Sequence, residues 1–380
     1  MKASLLFART ACNPRTLLPS ITLLATALVT GCGARSSLLG DDRDGRGGDG
    51  VAGGGIGGSA AEGGGGPNPE DPDLECPASC KDEQCDPPVL FDGPTVWAGV
   101  DGPYLYYATA LENGANSLFR TRICGGTAPE RLLDAEEFGG PAAFVGSHIF
   151  VPVVQPGALV RMNKDGSDPN TLHPYADVNA EKPRAVISDG TKLFITVYTF
   201  DGGMNVYETN PTGDAFLFLE GGLGDPDWAQ APFFTPNVPL FDDDYLYFPN
   251  RYGIDRIKKH TGESNPYTDV TVSGNLARQG GYFFFSNDDL GLLRVPDSGD
   301  PGDPELVNEE SFDSKLVFDG DTLYATENTW DGRSWLARLE PPYADGDLVF
   351  KSETAWIRDF FLTKYSIYLR TQDRVVRLAR

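Results

Sequence analysis

The chain has 380 residues, with 31 Lys and Arg against 55 Asp and Glu, and a net charge of −24 at pH 7. A field of that sign repels nucleic acid and anionic lipid headgroups, which argues against nucleic acid as a partner and against a membrane surface held by basic side chains. The 40% hydrophobic content is rich in Tyr and Phe and is enough for a sizeable core, so the length holds one to three average domains or a single repeat array.

Residues 1–31 read as a leader. Lys2, Arg9 and Arg15 precede an apolar stretch from Leu17 to Thr30, too short and too rich in Thr and Ser to span a membrane. The stretch stops at Val29-Thr30-Gly31-Cys32, which resembles the lipobox of bacterial lipoproteins. That resemblance implies cleavage before Cys32 and acylation of its thiol and new amine. Because Gly33 rather than Asp follows, it also implies an outer-membrane destination in the bacterial cell envelope. An ordinary secretory leader with an incidental Cys is the alternative.

Residues 32–73 form a tether. Gly alternates with small and charged residues and gives way to Pro and acid in PNPEDPDLE, leaving too little apolar surface to offset ordering entropy. A Gly-rich coil of about 40 residues has an r.m.s. span of roughly 35 Å, a spacer that holds a domain off a membrane.

Residues 74–87 carry cysteines. Cys12 leaves with the leader and Cys32 takes the lipid, so Cys76, Cys80, Cys85 and Cys124 remain. An even number in an exported chain points to two disulfides, with three possible connectivities. Zinc is the competing reading. The spacing of CPASCKDEQC is not CxxC, and no His lies near it, which weighs against a metal site.

From Pro88 onward one unit recurs. Its central apolar residue falls at Leu105, Ile149, Leu193, Leu246, Phe283, Leu323 and Ile367, with spacings of 44, 44, 53, 37, 40 and 44. A period in the forties with about four strands per repeat predicts a β-propeller. The first two strands of a unit, A and B, often meet at an Asp-Gly pair, as at Asp101, Asp189 and Asp319, which predicts type I′ hairpin turns.

Unit one places strands A to D at Thr95–Val100, Tyr104–Thr109, Ser117–Ile123 and Glu130–Leu133. Unit two reads AAFVG, HIFVPVV, ALVRMN and Asn170–His173; unit three RAVIS, KLFITVY, MNVYETN and AFLFLE; unit four VPLFD, YLYFPN, GIDRIKK and PYTDV. Unit five reads NLARQ, YFFFS, GLLRVP and ELVN, unit six KLVFD, TLYAT, WLARL and DLVFK. Unit seven has Trp356–Leu362, Ser366–Arg370 and Arg374–Leu378, and lacks a fourth strand. An open ring exposes edges, so Pro88–Phe91 is expected to supply the missing strand. The expected fold is an all-β, seven-bladed propeller over residues 88–380, with six or eight blades as alternatives. Closure of that kind brings Cys85 near Cys124 and leaves Cys76 to Cys80, with Cys80 a competitor for the long bridge.

The segment ALVRMNKDGSDPNTL resembles the repeat of YWTD-type and TolB-like bacterial propellers, and Leu323-Tyr324-Ala325-Thr326-Glu327 resembles YWTD with Trp replaced by Ala. The resemblance spans the repeat region. It implies a propeller that binds a protein or an extracellular ligand, and it carries over no catalytic residue.

Chemistry is sparsely marked. His148, His173 and His260 lack partners at ligand or triad spacing, and neither GxSxG nor HExxH occurs. Asp242–Asp244, Asn287–Asp289 and Asp165–Asp168 offer oxygen ligands for calcium, without the spacing of a DxDxDG loop; no other cofactor is indicated. In a four-stranded blade the B–C loops and D–A connections open on one face, and there the unusual residues gather. The long connection after unit three brings Trp228, Phe233 and Phe234. B–C loops add Tyr198, Phe200, Asp201, Arg251, Tyr252, Glu327, Trp330 and Asp331. Aromatic and Arg side chains on loops are what binding hot spots use. The expected function is a binding or scaffolding module for a protein or saccharide, held to the membrane only by its lipid. The alternative is a hydrolase or lyase using Asp201, Glu327 or Asp331 at the channel mouth.

Overall fold

A computed structural model describes residues 89–110, 116–124, 126–172, 181–199, 204–211, 216–219, 240–250, 253–259, 261–299, 301–312, 315–329 and 331–380. These residues build seven antiparallel sheets and no helix. Blade one comprises Thr95–Asp101, Tyr104–Thr109, Asn116–Arg122 and Glu130–Ala135. Blade three comprises Glu181–Ser188, Leu193–Thr199, Met204–Thr209 and Phe216–Leu219. Blade four has Leu240–Phe241, Tyr245–Asn250, Gly253–Lys258 and Ser264–Thr268. Blade five has Ser273–Gln279, Tyr282–Asn287, Gly291–Pro296 and Glu305–Asn308. Blade six has Leu316–Asp319, Thr322–Asn328, Ser334–Leu339 and Gly346–Ser352. Blade seven joins Ile357–Leu362, Ser366–Thr371 and Arg374–Ala379 to the N-terminal strand Val89–Asp92. The closing strand pairs Val89 with Val376, Phe91 with Val375 and Asp92 with Arg374.

Blade two is irregular. Its strand A is split into Glu137–Phe138 and Ala143–Val145, both paired with His148–Gln155, while Ala158–Asn163 and Asn170–Leu172 complete the sheet. Between the two pieces the backbone bonds the next blade instead: Gly140 N donates to Arg184 O at 2.7 Å and Val186 N to Pro141 O at 3.1 Å. Gly139 is required at this approach, because a Cβ would lie 2.8 Å from the carbonyl oxygens of Pro183 and Arg184.

The strand patterns follow from face-to-face stacking of blades. Strand B of blade seven is buried at every position, and strand B of blade one at five of six, whereas the outer strand Glu130–Ala135 reads exposed or half-buried throughout. Inner strands are covered on both faces, so they are continuously apolar. Seven apolar clusters result, one per junction between neighbouring blades, and the last joins blade seven to blade one. Each fully buried Leu, Ile or Phe in them contributes roughly 1.5–3 kcal/mol of burial. Outer strands of blades one, four, five, six and seven carry a bulge against strand C, which strengthens the twist and blunts an exposed edge.

The recurring Arg of strand C is structural. Arg120, Arg161, Arg256, Arg294, Arg338 and Arg377 each stand directly opposite an aromatic of strand B: Tyr106, Phe150, Tyr247, Phe284, Tyr324 and Tyr368. Several also reach an acid on strand D, as Arg294 does to both carboxylate oxygens of Glu305 at 2.8 Å. Blade three inverts the charge, with Glu208 opposite Phe194 and paired with Lys192.

The turns differ from the type I′ expectation. Asp101 and Asp319 are the last paired residues of their strands, opposite Tyr104 and Thr322. Gly102 and Gly320 follow with φ of 52° and 56°, and neither Pro103 nor Asp321 has positive φ. Gly at the first central position is the II′ pattern. The placement gives the Asp a second use, since each carboxylate reaches the residue just after strand C of the following blade. Asp101 pairs with Lys164 at 2.6 Å, Asp189 with Lys259 at 3.2 Å, and Asp319 with Arg380. Lys259 is 5% exposed and lies 5.2 and 5.1 Å from the ring centroids of Phe194 and Phe241.

Candidate functional site

Alternation of strand direction puts the B–C loops and D–A connections on one face of the ring. Of the residues expected to form a site there, Phe200, Asp201, Trp228, Phe233, Phe234, Arg251, Tyr252 and Trp330 lie outside the described residues. Tyr198 belongs to strand B of blade three, where its backbone is paired with Lys182 and Met204. Glu327 is not a loop residue; it sits half-buried in strand B of blade six, opposite Trp335.

Asp331 does lie on the loop, and its oxygens are already spent. They accept from Arg333 Nε at 2.8 Å, from Arg333 Nη2 at 2.7 Å and from the Thr329 hydroxyl. Those hydrogen bonds, Arg333 first, hold the carboxyl down to about 2. The loop closes on itself as Thr329 N donates to Arg333 O at 2.9 Å and Gly332 N to Thr329 O at 3.0 Å. The φ of 89° at Gly332 is the left-handed conformation that such a tight return needs.

This loop is clamped to the start of blade seven. Ser334 Oγ donates to Ala355 O at 2.8 Å and accepts from Ile357 N at 3.1 Å. Asn328 Oδ1 accepts from the same Ile357 N at 3.1 Å while its Nδ2 donates to Ile357 O at 3.3 Å. Trp356 Nε1 donates to Thr329 O at 3.0 Å, so the polar edge of the indole is used and the ring remains. The guanidinium of Arg358 lies 5.0 Å from the Trp356 ring. Trp356 and Arg358 are both half-buried. Sequence reasoning missed this pair, although Trp-Ile-Arg at the head of a strand carries the signal: residues i and i+2 share a face.

Below this corner, toward the axis, lies a buried charge cluster. Lys315 Nζ binds the Asp359 carboxylate and donates to Phe360 O at 2.7 Å. Arg370 stands opposite Asp359 in register and donates to Thr95 O of blade one at 3.0 Å. The three side chains thereby link blades six, seven and one. Burial pushes the Asp359 carboxyl up, against the pull of Lys315 and Arg370.

The acidic turns considered for calcium cap their own backbones. Asp242 accepts from Asp244 N, Tyr245 N and the Tyr247 hydroxyl at 2.8, 2.7 and 2.8 Å. Asn287 Oδ1 accepts from Asp289 N and Leu290 N at 3.0 and 2.9 Å, and Asp165 from the Ser167 amide at 2.9 Å. Among the described residues no three His, Cys, Asp or Glu converge as metal ligands. His148 opens strand B of blade two beside Ser147 Oγ at 3.4 Å; His173 and His260 lie outside the described residues.

No protein-family model matches the chain, and no curated protein matches it. Solved structures do share its architecture. The structure of YCF48 bound to D1 peptide matches at 12% identity and a TM-score of 0.53, over 81% of this chain and 100% of that one. The AfRom2 CNH domain matches at 12% identity and a TM-score of 0.51, over 77% and 98%. The computationally designed Ika8 protein matches at 10% identity and a TM-score of 0.50, over 76% and 97%. At such identities the likeness is one of fold.

Proposed function

We propose that the protein is a lipid-anchored, extracytoplasmic propeller that binds or scaffolds a protein partner on the face of the B–C loops and D–A connections. The reading is carried by the corner of blades six and seven. There the Thr329–Arg333 loop, Ser334 and Asn328 fix Trp356 and Arg358 in place. Trp and Arg dominate binding energies at interfaces, and a frame fixed in advance lowers the ordering cost of association. YCF48, a neighbour in fold, has a structure with a peptide bound, which supports a protein as the class of partner here. The enzymatic reading draws no support from this corner, because Asp331 is committed to Arg333 and Thr329. Anchoring through Cys32, the tether of residues 32–73, a bacterial envelope location and kinship with YWTD-type or TolB-like repeats belong to the same proposal, on the sequence features given above.

The test selects displayed random peptides on the immobilised mature chain. Binders should lose at least tenfold in affinity on Trp356→Ala and on Arg358→Ala, in variants whose melting shows them folded. Arg294→Ala, on the outer part of blade five, should leave affinity unchanged. Binders indifferent to both corner variants would overturn the assignment.

A further inference from the structure

Two buried polar atoms point into the junction between blades seven and one, and among the described residues neither has a hydrogen-bond partner. The Asp359 carboxylate uses Oδ1 on the Lys315 ammonium and on the amide of Phe360, which donates to it at 2.8 Å. Its Oδ2 has no partner, and neither has Thr95 Oγ1. Asp359 and Thr95 are 1% and 3% exposed, out of reach of bulk solvent. Register aims both side chains into the same space. Asp359 shares a face of its strand with Phe361, two residues on, and Phe361 belongs to the apolar cluster of blades seven and one. Thr95 stands opposite Thr109, which shares a face of strand B of blade one with Tyr107 of that same cluster. Arg370 lies beside both, opposite Asp359 in register and donating to Thr95 O at 3.0 Å.

We propose that this junction is a binding site for a single internal water molecule, which donates to Asp359 Oδ2 and accepts from Thr95 Oγ1. The chemistry of the site selects water. Oδ2 can only accept and the Thr95 hydroxyl can donate, yet the two are not bonded to one another, so a bridging molecule has to do both. An anion would be repelled by the carboxylate, and a cation by Lys315 and Arg370. Buried waters bond about three polar groups, and the carboxylate, the hydroxyl and the guanidinium supply three. Without the water, two polar atoms would be desolvated and unbonded, which is costly. Blade seven therefore reaches blade one through solvent as well as through Arg370, at the junction where the two ends of the repeat region meet.

A high-resolution crystal structure of the native chain, joined to a pair of variants, decides the matter. Density for one water is expected within about 3.2 Å of both Asp359 Oδ2 and Thr95 Oγ1. Thr95→Val keeps the shape of the side chain and deletes the hydroxyl, and it should lower Tm by roughly 2–4 °C. In an Asp359→Leu background, where the water has lost its acceptor, the same change should leave Tm where it is. Where a variant does not fold, the native crystal structure still gives the reading. A direct hydrogen bond from Thr95 to Asp359 with no water between them, an ion in that place, or a Thr95→Val loss that persists undiminished without Asp359 would overturn the site.

Discussion

Lys315→Met probes how the ring is held at its axis. The ammonium sits between the Asp359 carboxylate and Phe360 O, 4.8 Å from the Phe361 ring, and the two charged side chains are 6% and 0% exposed. Met retains most of the stem and deletes the charge, so packing changes little. Stranding one member of a buried pair costs about 3–5 kcal/mol. Arg370, opposite Asp359, remains and offsets part of that. The net cost should be about 3 kcal/mol, a fall in Tm of roughly 6–12 °C for a domain of this size. Asp359→Leu should cost more, about 5 kcal/mol, because it leaves both Lys315 and Arg370 without their carboxylate. In the double variant Lys315→Met/Asp359→Leu only Arg370 is stranded, so it should be more stable than Asp359→Leu alone. Urea and thermal unfolding of the four proteins give the cycle. Additivity within about 0.5 kcal/mol, or a Lys315→Met cost below about 1 kcal/mol, would refute the coupling argued from this geometry.

Deleting Arg374–Arg380 removes the strand that holds both Val89–Asp92 and Ser366–Thr371, together with the cation on Asp319. Unfolding should shift to lower temperature as one transition of the whole ring, and an unchanged melt would contradict the role of this strand. At Asp189 burial pushes the carboxyl up, but the amides of Lys192 and Thr191, the Thr191 hydroxyl and Lys259 more than reverse this, leaving it below the ordinary range. A lowered carboxyl contributes stability that is present above about pH 3.9 and lost as pH falls below it. Asp189→Asn should therefore cost about 1–3 kcal/mol at pH 7 and flatten the acid limb of the stability profile; an unchanged limb would count against it. Cys32→Ala should move the protein from the membrane fraction to the soluble one, and quantitative membrane retention would reject acylation at that residue.

The repeat was legible in the sequence because its cause is local to each blade. Leu105, Ile149, Leu193, Leu246, Phe283, Leu323 and Ile367, the residues that set the period, all lie in strand B and are at most 1% exposed. A strand covered on both faces has to be apolar, and turn residues have to separate such strands, so both signals recur blade by blade. The strand missing from unit seven was legible for a related reason: an open edge requires a partner, and Pro88–Phe91, expected to supply it, overlaps the strand Val89–Asp92 that pairs there. What joins one blade to the next left no such trace. The carboxylate of Asp189 meets a cation 70 residues away, and nothing near either residue specifies the other. Lys315 stands at the head of strand A of blade six, and only the neighbouring blade puts Asp359 against it. Asp331, eligible for chemistry by residue type, is occupied by Arg333 and Thr329 of its own loop. Trp356 and Arg358 become a platform only because blade six supplies the carbonyl that fixes the indole. Composition and period determine which segments are strands and in what order they pair. Which charges are paired, which turns aim them and which aromatic is held in place depend on the angle between adjacent blades, and only the closed ring sets that angle.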